Sequence, residues 1–237
     1  TGVRVVSSQT STFGGIISEI SGNEGTSVKF KQCTNNGNYS FKDIYQVSAG
    51  GFIGSISSSN IHVQFEHCIN NGTIKSEGQY CLTGGFVGAA KIMSLEIVHS
   101  QNHGNLTCAG NTFCYSGGFV GSSYALVCIN CTNSGSISDE NSGFPTQSRY
   151  FGGILGGQTS EGNVTIDGTT NYGQVSIQNC VRYCIGGGIV GRSGGNFTIT
   201  NTMNYGVIAL ALQNSEVLVA QTGGLVGDVT SKSKIQV

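Results

Sequence analysis

Charged residues are scarce in this sequence, and their scarcity narrows the classes of function. Only 10% of the 237 residues are charged, and the formal net charge at pH 7 is −1. A protein that binds nucleic acid or an anionic membrane surface ordinarily carries a basic patch. We therefore expect no nucleic acid among the partners of this protein.

Proline and long apolar segments are also nearly missing. The chain has one proline, Pro145, and no apolar run approaches the about 18 residues that a membrane-spanning helix needs. No segment keeps the apolar period of a helix, so we expect almost no helix and no membrane insertion. Glycine is abundant, with 38 residues, and many of them recur at fixed positions. This regularity indicates that the glycines serve a repeated backbone geometry and do not make the chain flexible.

A double glycine followed by two apolar residues and a third glycine recurs along the chain. The clearest copy is residues 84–88, and a degraded first copy ends in Ser18 in place of the third glycine. The steps between copies are 36, 34, 33, 35, 35 and 36 residues, a period typical of a solenoid, propeller or array. The copies begin at Gly14, Gly50, Gly84, Gly117, Gly152, Gly187 and Gly223.

An Asn-x-Gly turn falls between each pair of double glycines. If the repeats stack about 4.8 Å apart, equivalent asparagines lie above one another and their amides can hydrogen-bond along the axis. The predicted asparagine ladder consists of Asn35, Asn70, Asn102, Asn133, Asn171 and Asn204. The turn glycine is expected to supply a positive φ.

Each repeat contains three short segments with strand character. After Gly50 these are residues 51–54, the alternating segment 61–65 and the segment that begins at Thr73. About 35 residues with three strands fit one coil of a parallel β-solenoid, whereas a propeller blade needs four strands. We predict an all-β fold, one solenoid domain over residues 1–237 with about seven coils, right-handed by the general preference of parallel crossovers.

The apolar residue after each double glycine is expected to point into the coil, because a single coil cannot bury its apolar face without its neighbours. Phe52, Phe86 and Phe119 form the predicted aromatic core ladder. Ile154, Ile189 and Leu225 continue the same position in the later coils.

These two patterns resemble the GLUG-motif repeats of large, secreted or surface-attached, adhesin-like proteins. The matching features are the Gly-Gly-Leu/Phe/Ile-Val-Gly segment and the Cys/Thr/Ser-x-Asn-x-Gly-x-Ile/Val turn, best seen at residues 68–74 and 131–137. Ser100, Thr169 and Thr202 depart from the pattern by replacing cysteine at the turn. The resemblance covers nearly the whole chain and implies a β-solenoid on a cell surface; it implies no particular ligand.

The sequence begins and ends within a coil, without a polar cap. Residues 2–5 match the strand after an Asn-x-Gly turn, and residues 235–237 match residues 28–30. Unpaired strand edges invite another chain to pair with them. We expect either further repeats of the same array or head-to-tail self-association through these uncapped ends.

Two coils carry insertions, at residues 138–145 and 209–219. Loops at one edge of a solenoid often bind ligands, and tolerated length variation is the alternative explanation. The candidate binding loop is represented by Asp139, Glu140, Phe144 and Tyr150. The tyrosines expected to be exposed and able to stack on sugars are Tyr124, Tyr150, Tyr172, Tyr183 and Tyr205.

The nine cysteines follow the period of the repeat. A disulfide is expected between Cys180 and Cys184, and Cys108 with Cys114 is a second candidate pair; stacked Cys81 and Cys114 are an alternative within the permitted distance. Small buried thiols without a disulfide partner are the expectation for Cys33, Cys68 and Cys128. The lone C-x-x-C at residues 128–131 predicts neither zinc binding nor redox catalysis.

Six Asn-x-Ser/Thr sequons favour a secretory origin, although chance matches are expected in a chain rich in these residues. The candidate glycosylation sites are Asn38, Asn71, Asn105, Asn130, Asn163 and Asn196. Asn163 and Asn196 enter the second strand from glycine-rich turns and are the strongest candidates.

A search for chemistry finds no recurring reaction centre. Glycoside hydrolysis needs two carboxyl groups within about 5–10 Å, but the twelve acids are scattered: Glu66 is predicted to lie over Val98, and Glu96 over Gln64. Asp139 and Glu140 are expected to be solvated. His67 and His99 share a column that a polar turn explains better than a metal site. We predict no catalytic residues, no metal and no cofactor.

Together these observations predict a non-enzymatic extracellular solenoid, either a stalk or adhesive module of a surface protein or a filament subunit. The alternative is a carbohydrate-binding or carbohydrate-active β-helix protein, with surface glycans as partners and residues 139–150 beside its active face. Turnover of a polysaccharide would exclude the first prediction, whereas glycan binding would favour the second.

Overall fold

The computed structural model describes residues 3–6, 10–22, 25–58, 60–139, 146–160, 162–178, 180–211, 219–230 and 235–236. These residues form an all-β solenoid of about six turns with repeats about 35 residues apart, close to the predicted seven coils. The described strands pair in parallel within four sheets that run along the molecule. The predicted fold class is confirmed.

The largest sheet, which we call the return sheet, contains the strands that lead up to each double glycine. Its strands are Val3–Val6, Thr10–Gly14, Tyr39–Gly50, Ile74–Gly84, Leu106–Gly117, Ile137–Ser138, Thr146–Gly152, Val175–Gln178, Cys180–Gly187, Ile208–Ala211 and Val219–Gly223. In three coils one strand of 11 or 12 residues crosses the whole segment. The sequence pattern predicts only a short strand after Thr73, whereas the strand in that coil extends over Ile74–Gly84.

The other three sheets consist of short strands. The strands that follow the double glycines are Ile17–Ile20, Ile53–Ile56, Val87–Ala90, Val120–Ser123, Leu155–Gln158, Val190–Ser193 and Val226–Val229. The strands that correspond to the alternating segment 61–65 are Ser27–Lys31, His62–Glu66, Ser94–Val98, Leu126–Ile129, Asn163–Asp167, Asn196–Thr200 and Ile235–Gln236. The two-residue strands at the asparagines are Thr34–Asn35, Ile69–Asn70, Gln101–Asn102, Thr132–Asn133, Thr170–Asn171 and Met203–Asn204.

The prediction of three strands per coil is therefore wrong by one. The coil that begins after Gly51 contains Ile53–Ile56, His62–Glu66, Ile69–Asn70 and Ile74–Gly84. The sequence predicts a turn at the two-residue strand, because Asn-x-Gly is a strong turn signal. It pairs as a strand because the coils above and below present the equivalent residues in register, with asparagine opposite asparagine.

Positive φ angles occur at a different place from the one predicted. Among the described residues the glycines of the Asn-x-Gly turns are not in the left-handed region. The corner that does need it lies three residues before the asparagine and is occupied by Gln32, His67, His99, Asn130, Gly168 and Asn201, with φ between 49° and 59°. The Asn-x-Gly glycine serves close packing instead, because a β-carbon on Gly72 would collide with the carbonyl oxygen of Gly37 in the next coil.

Most of the buried apolar residues form two core clusters that run side by side along the axis, and a small third cluster surrounds Tyr115, Tyr150 and Ile185. The larger cluster contains Phe52, Phe86 and Phe119, whose successive ring centroids are 4.8 Å apart, followed by Ile154 and Ile189. The smaller cluster lies under the return sheet and includes Phe41, Ile74, Leu106, Ile137 and Val175 together with several cysteines. Each cluster is continuous from coil to coil, so each coil depends on its neighbours for burial.

The coil is narrow between the two clusters, in a region that we call the waist. The double glycine and the Asn-x-Gly motif meet there. A β-carbon on Gly51 would lie 2.6 Å from Oδ1 of Asn70, which belongs to the same coil. The equivalent glycine and asparagine face each other in the coils above and below. Only glycine permits this approach of the chain to the asparagine column.

No helix in the described part of the chain is long and apolar enough to cross a membrane.

Candidate functional site

The asparagines at the waist form a continuous column of side-chain hydrogen bonds. Nδ2 of each asparagine donates to Oδ1 of the next, over distances of 2.7 to 2.8 Å, from Asn35 through to Asn204. Nδ2 also donates to the carbonyl oxygen two residues later, as Asn102 does to Gly104 at 3.1 Å. Because both polar groups are satisfied, the amides can be buried at low cost, and their role here is structural.

The residues that directly follow the ladder asparagines form an exposed column beside the asparagine ladder. Asn71 donates to Asn36 in the first two coils, and His103 Nδ1 lies 2.6 Å from Ser134 Oγ in the next two. In the last two coils the rings of Tyr172 and Tyr205 stack with centroids 5.3 Å apart. Both rings are more than half exposed, at 57% and 61%. We call this set the outer column: Asn36, Asn71, His103, Ser134, Tyr172 and Tyr205.

A second polar column runs along the left-handed corner. The rings of His67 and His99 are stacked with centroids 5.1 Å apart, and both side chains are exposed. Among the described residues no third histidine, cysteine or carboxylate joins them to complete a three-ligand group. The corner column is explained by its backbone conformation, since Asn and His tolerate the left-handed region better than most residues.

The six candidate glycosylation asparagines all lie exposed on the surface. Asn163 and Asn196 occupy the same position in adjacent coils, and Asn196 Nδ2 donates to Asn163 Oδ1 at 3.2 Å. Asn38 and Asn105 instead use their side-chain oxygens to accept backbone hydrogen bonds from the neighbouring coil.

The cysteines divide into three structural groups. Cys180 and Cys184 form a disulfide bond, as expected. The candidate bond between Cys108 and Cys114 is absent, because both are free thiols that lie together with Cys81. Cys33, Cys68, Cys128 and Cys131 are free, and all of these except Cys33 are buried.

The first residues of the Cys/Thr/Ser-x-Asn-x-Gly turns form a column, which we call the turn column. The replacement of cysteine by serine or threonine in this column has a direct chemical explanation. Cys131 Sγ donates to the carbonyl oxygens of Ile129 and Ile97, both at 3.3 Å. Ser100 Oγ donates in the same way to Val98 O at 2.8 Å. Cysteine, serine and threonine alternate in this column because each provides a small donor for the carbonyl two residues earlier.

The most unusual group in the described chain is a buried arginine, Arg149, which is fully shielded from solvent. Its Nε donates to Asp139 Oδ2 at 2.9 Å, and its Nη1 donates to Gly110 O at 2.7 Å and to Cys114 Sγ at 3.3 Å. Asp139 Oδ1 accepts from the backbone N–H of Gln178 at 2.6 Å. A buried ion pair is tolerated only when its remaining polar atoms are satisfied in this manner.

Asp139 is thus part of the interior, and the expectation that it is solvated was wrong. It is only 5% exposed, and burial raises its pKa from 3.8 to about 6, although the charge of Arg149 opposes that rise. Glu140 and Phe144, the other residues assigned to the candidate binding loop, lie outside the described residues. The loop therefore contributes a structural carboxylate at its first residue.

Tyr150 is also buried, which corrects its assignment as an exposed sugar-stacking residue. It is 2% exposed and stacks on Tyr115 with ring centroids 4.8 Å apart. Arg192 covers it, with Cζ 5.0 Å from the ring centroid and Nη1 donating to the hydroxyl at 3.2 Å. The edge of this group lines a shallow cleft of about 370 Å³ that Tyr183 and Asp228 complete.

Three thiols lie together in the core cluster under the return sheet, and one of them, Cys114, contacts Arg149. The sulfur atoms of Cys81, Cys108 and Cys114 are all within 4.8 Å of one another, and all three residues are fully buried. Burial raises the pKa of Cys114, but hydrogen bonds from Cys108 and Cys81 and the charge of Arg149 hold that pKa well below its usual value. Burial, followed by the contact with Cys114, raises the pKa of Cys108 well above its usual value.

Sequence reasoning missed Arg149, although the spacing contains the signal. Cys81, Cys114 and Cys184 each stand three residues before a double glycine, and Arg149 stands three residues before Gly152. These residues are register partners in adjacent strands. An arginine in an inward-facing column indicates a buried acid that pairs with it, and Asp139 is that acid.

Comparisons of the chain with protein-family models, with characterised proteins and with solved structures find no match.

Proposed function

We propose that this chain is a non-enzymatic scaffold, an adhesive or stalk-like β-solenoid that works outside the cell. The observation that carries the proposal is the unbroken asparagine ladder, in which five consecutive amide–amide hydrogen bonds join six coils. A column of this kind resists extension along the axis because each coil is bonded to the next at its centre.

The placement of the acids supports a structural role. Glu66 is bound by Lys29 and Lys31, and Glu96 accepts a hydrogen bond from Gln64 at 2.8 Å. Asp139 is held by Arg149 in the interior. Each of these carboxylates has a partner within the scaffold, whereas a hydrolase needs two acids aimed at one substrate bond.

The extracellular part of the proposal has two supports besides the resemblance to GLUG-motif repeats. The six sequon asparagines are exposed, and Cys180–Cys184 is a disulfide, a bond that persists in oxidising compartments. Head-to-tail self-association or continuation into further coils stays a prediction; electron microscopy of native material, with particles lengthening in steps of one chain, would test it.

The scaffold proposal is tested by the location and the mechanics of the protein. Antibody against the folded chain should label intact cells as strongly as permeabilised cells, and single-molecule pulling should show resistance that weakens when Asn102 is replaced by alanine. Labelling that requires permeabilisation would contradict the extracellular location. Turnover of any polysaccharide in a broad hydrolase or lyase panel would contradict the absence of enzymatic activity.

A second candidate function is carbohydrate binding, and the outer column favours it. The stacked rings of Tyr172 and Tyr205 cover each other on one face, so the free face of Tyr172 looks toward Ser134 in the adjacent coil. His103 and Ser134 lie next along the column and are hydrogen-bonded to one another. An aromatic face beside hydroxyl and imidazole groups is a suitable arrangement for a sugar ring.

Glycan-array binding by the wild-type chain and by Tyr172→Ala tests this second function. The matched control is Tyr45→Ala, which removes a ring from another exposed tyrosine pair, Tyr45 and Tyr80. Loss of glycan binding in Tyr172→Ala alone supports a sugar site on the outer column. Equal binding by both variants, or no binding by the wild type, rejects it.

A further inference from the structure

The three buried thiols of Cys81, Cys108 and Cys114 converge on one point, an arrangement that the scaffold does not require. Cys81 lies on Ile74–Gly84, while Cys108 and Cys114 lie on Leu106–Gly117, and Cys81 and Cys114 are direct register partners. The three sulfur atoms converge within 4.8 Å of one another and are shielded from solvent. Elsewhere in the described coils the same columns hold Val47 and Ser76, so cysteine is not needed for packing at these positions.

The sulfur of Cys114 is surrounded by donors in the way a metal-bound thiolate is. It accepts hydrogen bonds from the backbone N–H of Gly110 at 3.1 Å and from Arg149 Nη1 at 3.3 Å. A β-carbon on Gly110 would lie 2.6 Å from this sulfur, so glycine is required for the approach. Donors that point at a sulfur stabilise its thiolate form, which is the form that binds metals.

The number and type of ligands select the metal. Soft thiolate ligands favour copper(I), zinc and iron–sulfur clusters. Structural zinc sites are almost always four-coordinate, and in the described part of the chain no histidine, aspartate or glutamate joins the three thiols as a fourth ligand. Copper(I) accepts three sulfur ligands.

We propose that Cys81, Cys108 and Cys114 bind one copper(I) ion as three thiolates, and that Arg149 positions the Cys114 sulfur. Binding is a ligand exchange without oxidation: copper(I) leaves its chelator, three thiol protons pass to solvent, three copper–sulfur bonds form, and copper stays in the +1 state. Three thiolates and one copper(I) carry two negative charges, and the guanidinium of Arg149, which Asp139 also binds, faces them at the Cys114 sulfur. This inference is independent of the proposed scaffold function.

The experiment measures copper(I) binding by the full chain under anaerobic, reducing conditions. Because the thiols are buried, copper(I) is added both to the folded protein and during refolding from urea, in competition with a chromogenic copper(I) chelator. We expect one tightly held ion per chain and an X-ray absorption spectrum that shows three sulfur ligands.

The variants use residues that the scaffold already carries in the same columns. Cys81→Val introduces the residue found at Val47, and Cys108→Ser introduces the residue found at Ser76. The control is Cys131→Ser, which changes a buried cysteine in a column where Ser100 occurs naturally. Circular dichroism and urea unfolding establish that each variant is folded before copper is measured.

Loss of the ion, or a fall of at least about 100-fold in apparent affinity, in Cys81→Val and Cys108→Ser but not in Cys131→Ser supports the site. The proposal is overturned if the wild type retains no copper(I), or if all three variants bind it equally. A disulfide between any two of the three cysteines in the protein isolated from its source also overturns it. So does retention of zinc by these thiols with refusal of copper(I).

Discussion

Gly51 and Asn70 touch across the centre of one coil, and a β-carbon on the glycine would lie 2.6 Å from the asparagine Oδ1. The two motifs that recur along the sequence are thus the two sides of one contact. The glycine brings the chain close enough for the asparagine ladder to close the space between the two core clusters. This contact explains why the two motifs recur together.

The middle of the asparagine ladder is expected to be more sensitive to mutation than its last described member. Asn102→Ala removes the donors to Asn133 Oδ1 and Gly104 O and the acceptor for Asn70 Nδ2, all buried. We expect the free energy of unfolding to fall by about 3 kcal/mol or more, because buried groups lose their partners. Asn204→Ala, at a half-buried position, should cost about 1 kcal/mol in the same urea titration. Equal losses would contradict the structural role of the ladder.

The second glycine of each double glycine lies at the waist, and we expect that no side chain is tolerated at this position. A β-carbon on Gly85 would lie 2.7 Å from Asn102 Cγ and would also collide with the carbonyl oxygen of Gly118. Gly85→Ala is therefore expected to lower stability by about 2–3 kcal/mol through overpacking. Gly224 occupies the same place in its own repeat, but among the described residues no atom lies within 4 Å of a β-carbon there, so Gly224→Ala should change the stability of this chain by less than about 0.5 kcal/mol. Thermal unfolding of the two variants checks the difference.

The buried ion pair should behave as a unit. Asp139→Asn replaces one carboxylate oxygen with an NH2 group, so either Arg149 Nε or the backbone N–H of Gln178 loses its acceptor, and we expect a loss of about 1–3 kcal/mol in urea unfolding at pH 7. The double variant Asp139→Asn with Arg149→Met should recover much of that loss, because the amide then no longer faces the guanidinium. Glu77→Gln breaks a surface contact with Lys42 and should have little effect. A double variant less stable than Asp139→Asn would disprove the coupling.

Asp139 should also give the metal-free protein a distinct pH dependence. Its pKa is raised from 3.8 to about 6 in the folded state, so between these values the folded state binds more protons than the unfolded state. The contribution of Asp139 to the free energy of unfolding is therefore greatest below pH about 4, falls as the pH rises to about 6, and is constant above it, a change of about 3 kcal/mol at most.

Subtracting the pH profile of Asp139→Asn from that of the wild type isolates this contribution from the other acids. The difference should decline between pH about 4 and 6, as the pKa of Asp139 requires. A difference that grows over that interval would show that Arg149 lowers the pKa of Asp139 more than burial raises it.

Cys131 should tolerate serine but not valine. Its thiol donates to the carbonyl oxygens of Ile129 and Ile97, a task that Ser100 performs in its own coil. Cys131→Ser is expected to change the free energy of unfolding by less than about 0.5 kcal/mol, whereas Cys131→Val should cost about 1 kcal/mol because the carbonyl of Ile129 loses the thiol donor and keeps only the backbone N–H of His99. Equal stability of the two variants would show that the hydrogen bond from the thiol is not the reason why cysteine, serine and threonine occupy this column.

Much of the fold could be predicted because, in a parallel solenoid, residues that are one repeat apart in sequence are neighbours in space. Residues about 35 positions apart become register partners, so Asn35 with Asn70 and Phe52 with Phe86 follow from counting. The placement of Glu96 over Gln64 follows in the same way. The number of strands per coil was underestimated because the turn signal at the asparagines hid a short strand.

The sequence by itself determined the neighbours along the axis: the coil length, the ladders and the columns in which cysteine, serine and threonine exchange. Only the tertiary structure decided the contacts across the coil. The meeting of Gly51 with Asn70, the pairing of Asp139 with Arg149 and the grouping of Cys108 with Cys81 and Cys114 depend on where each strand bends and which side chain reaches inward. A repeat period carries no information about those bends, because it records spacing along the chain and not the shape of the coil.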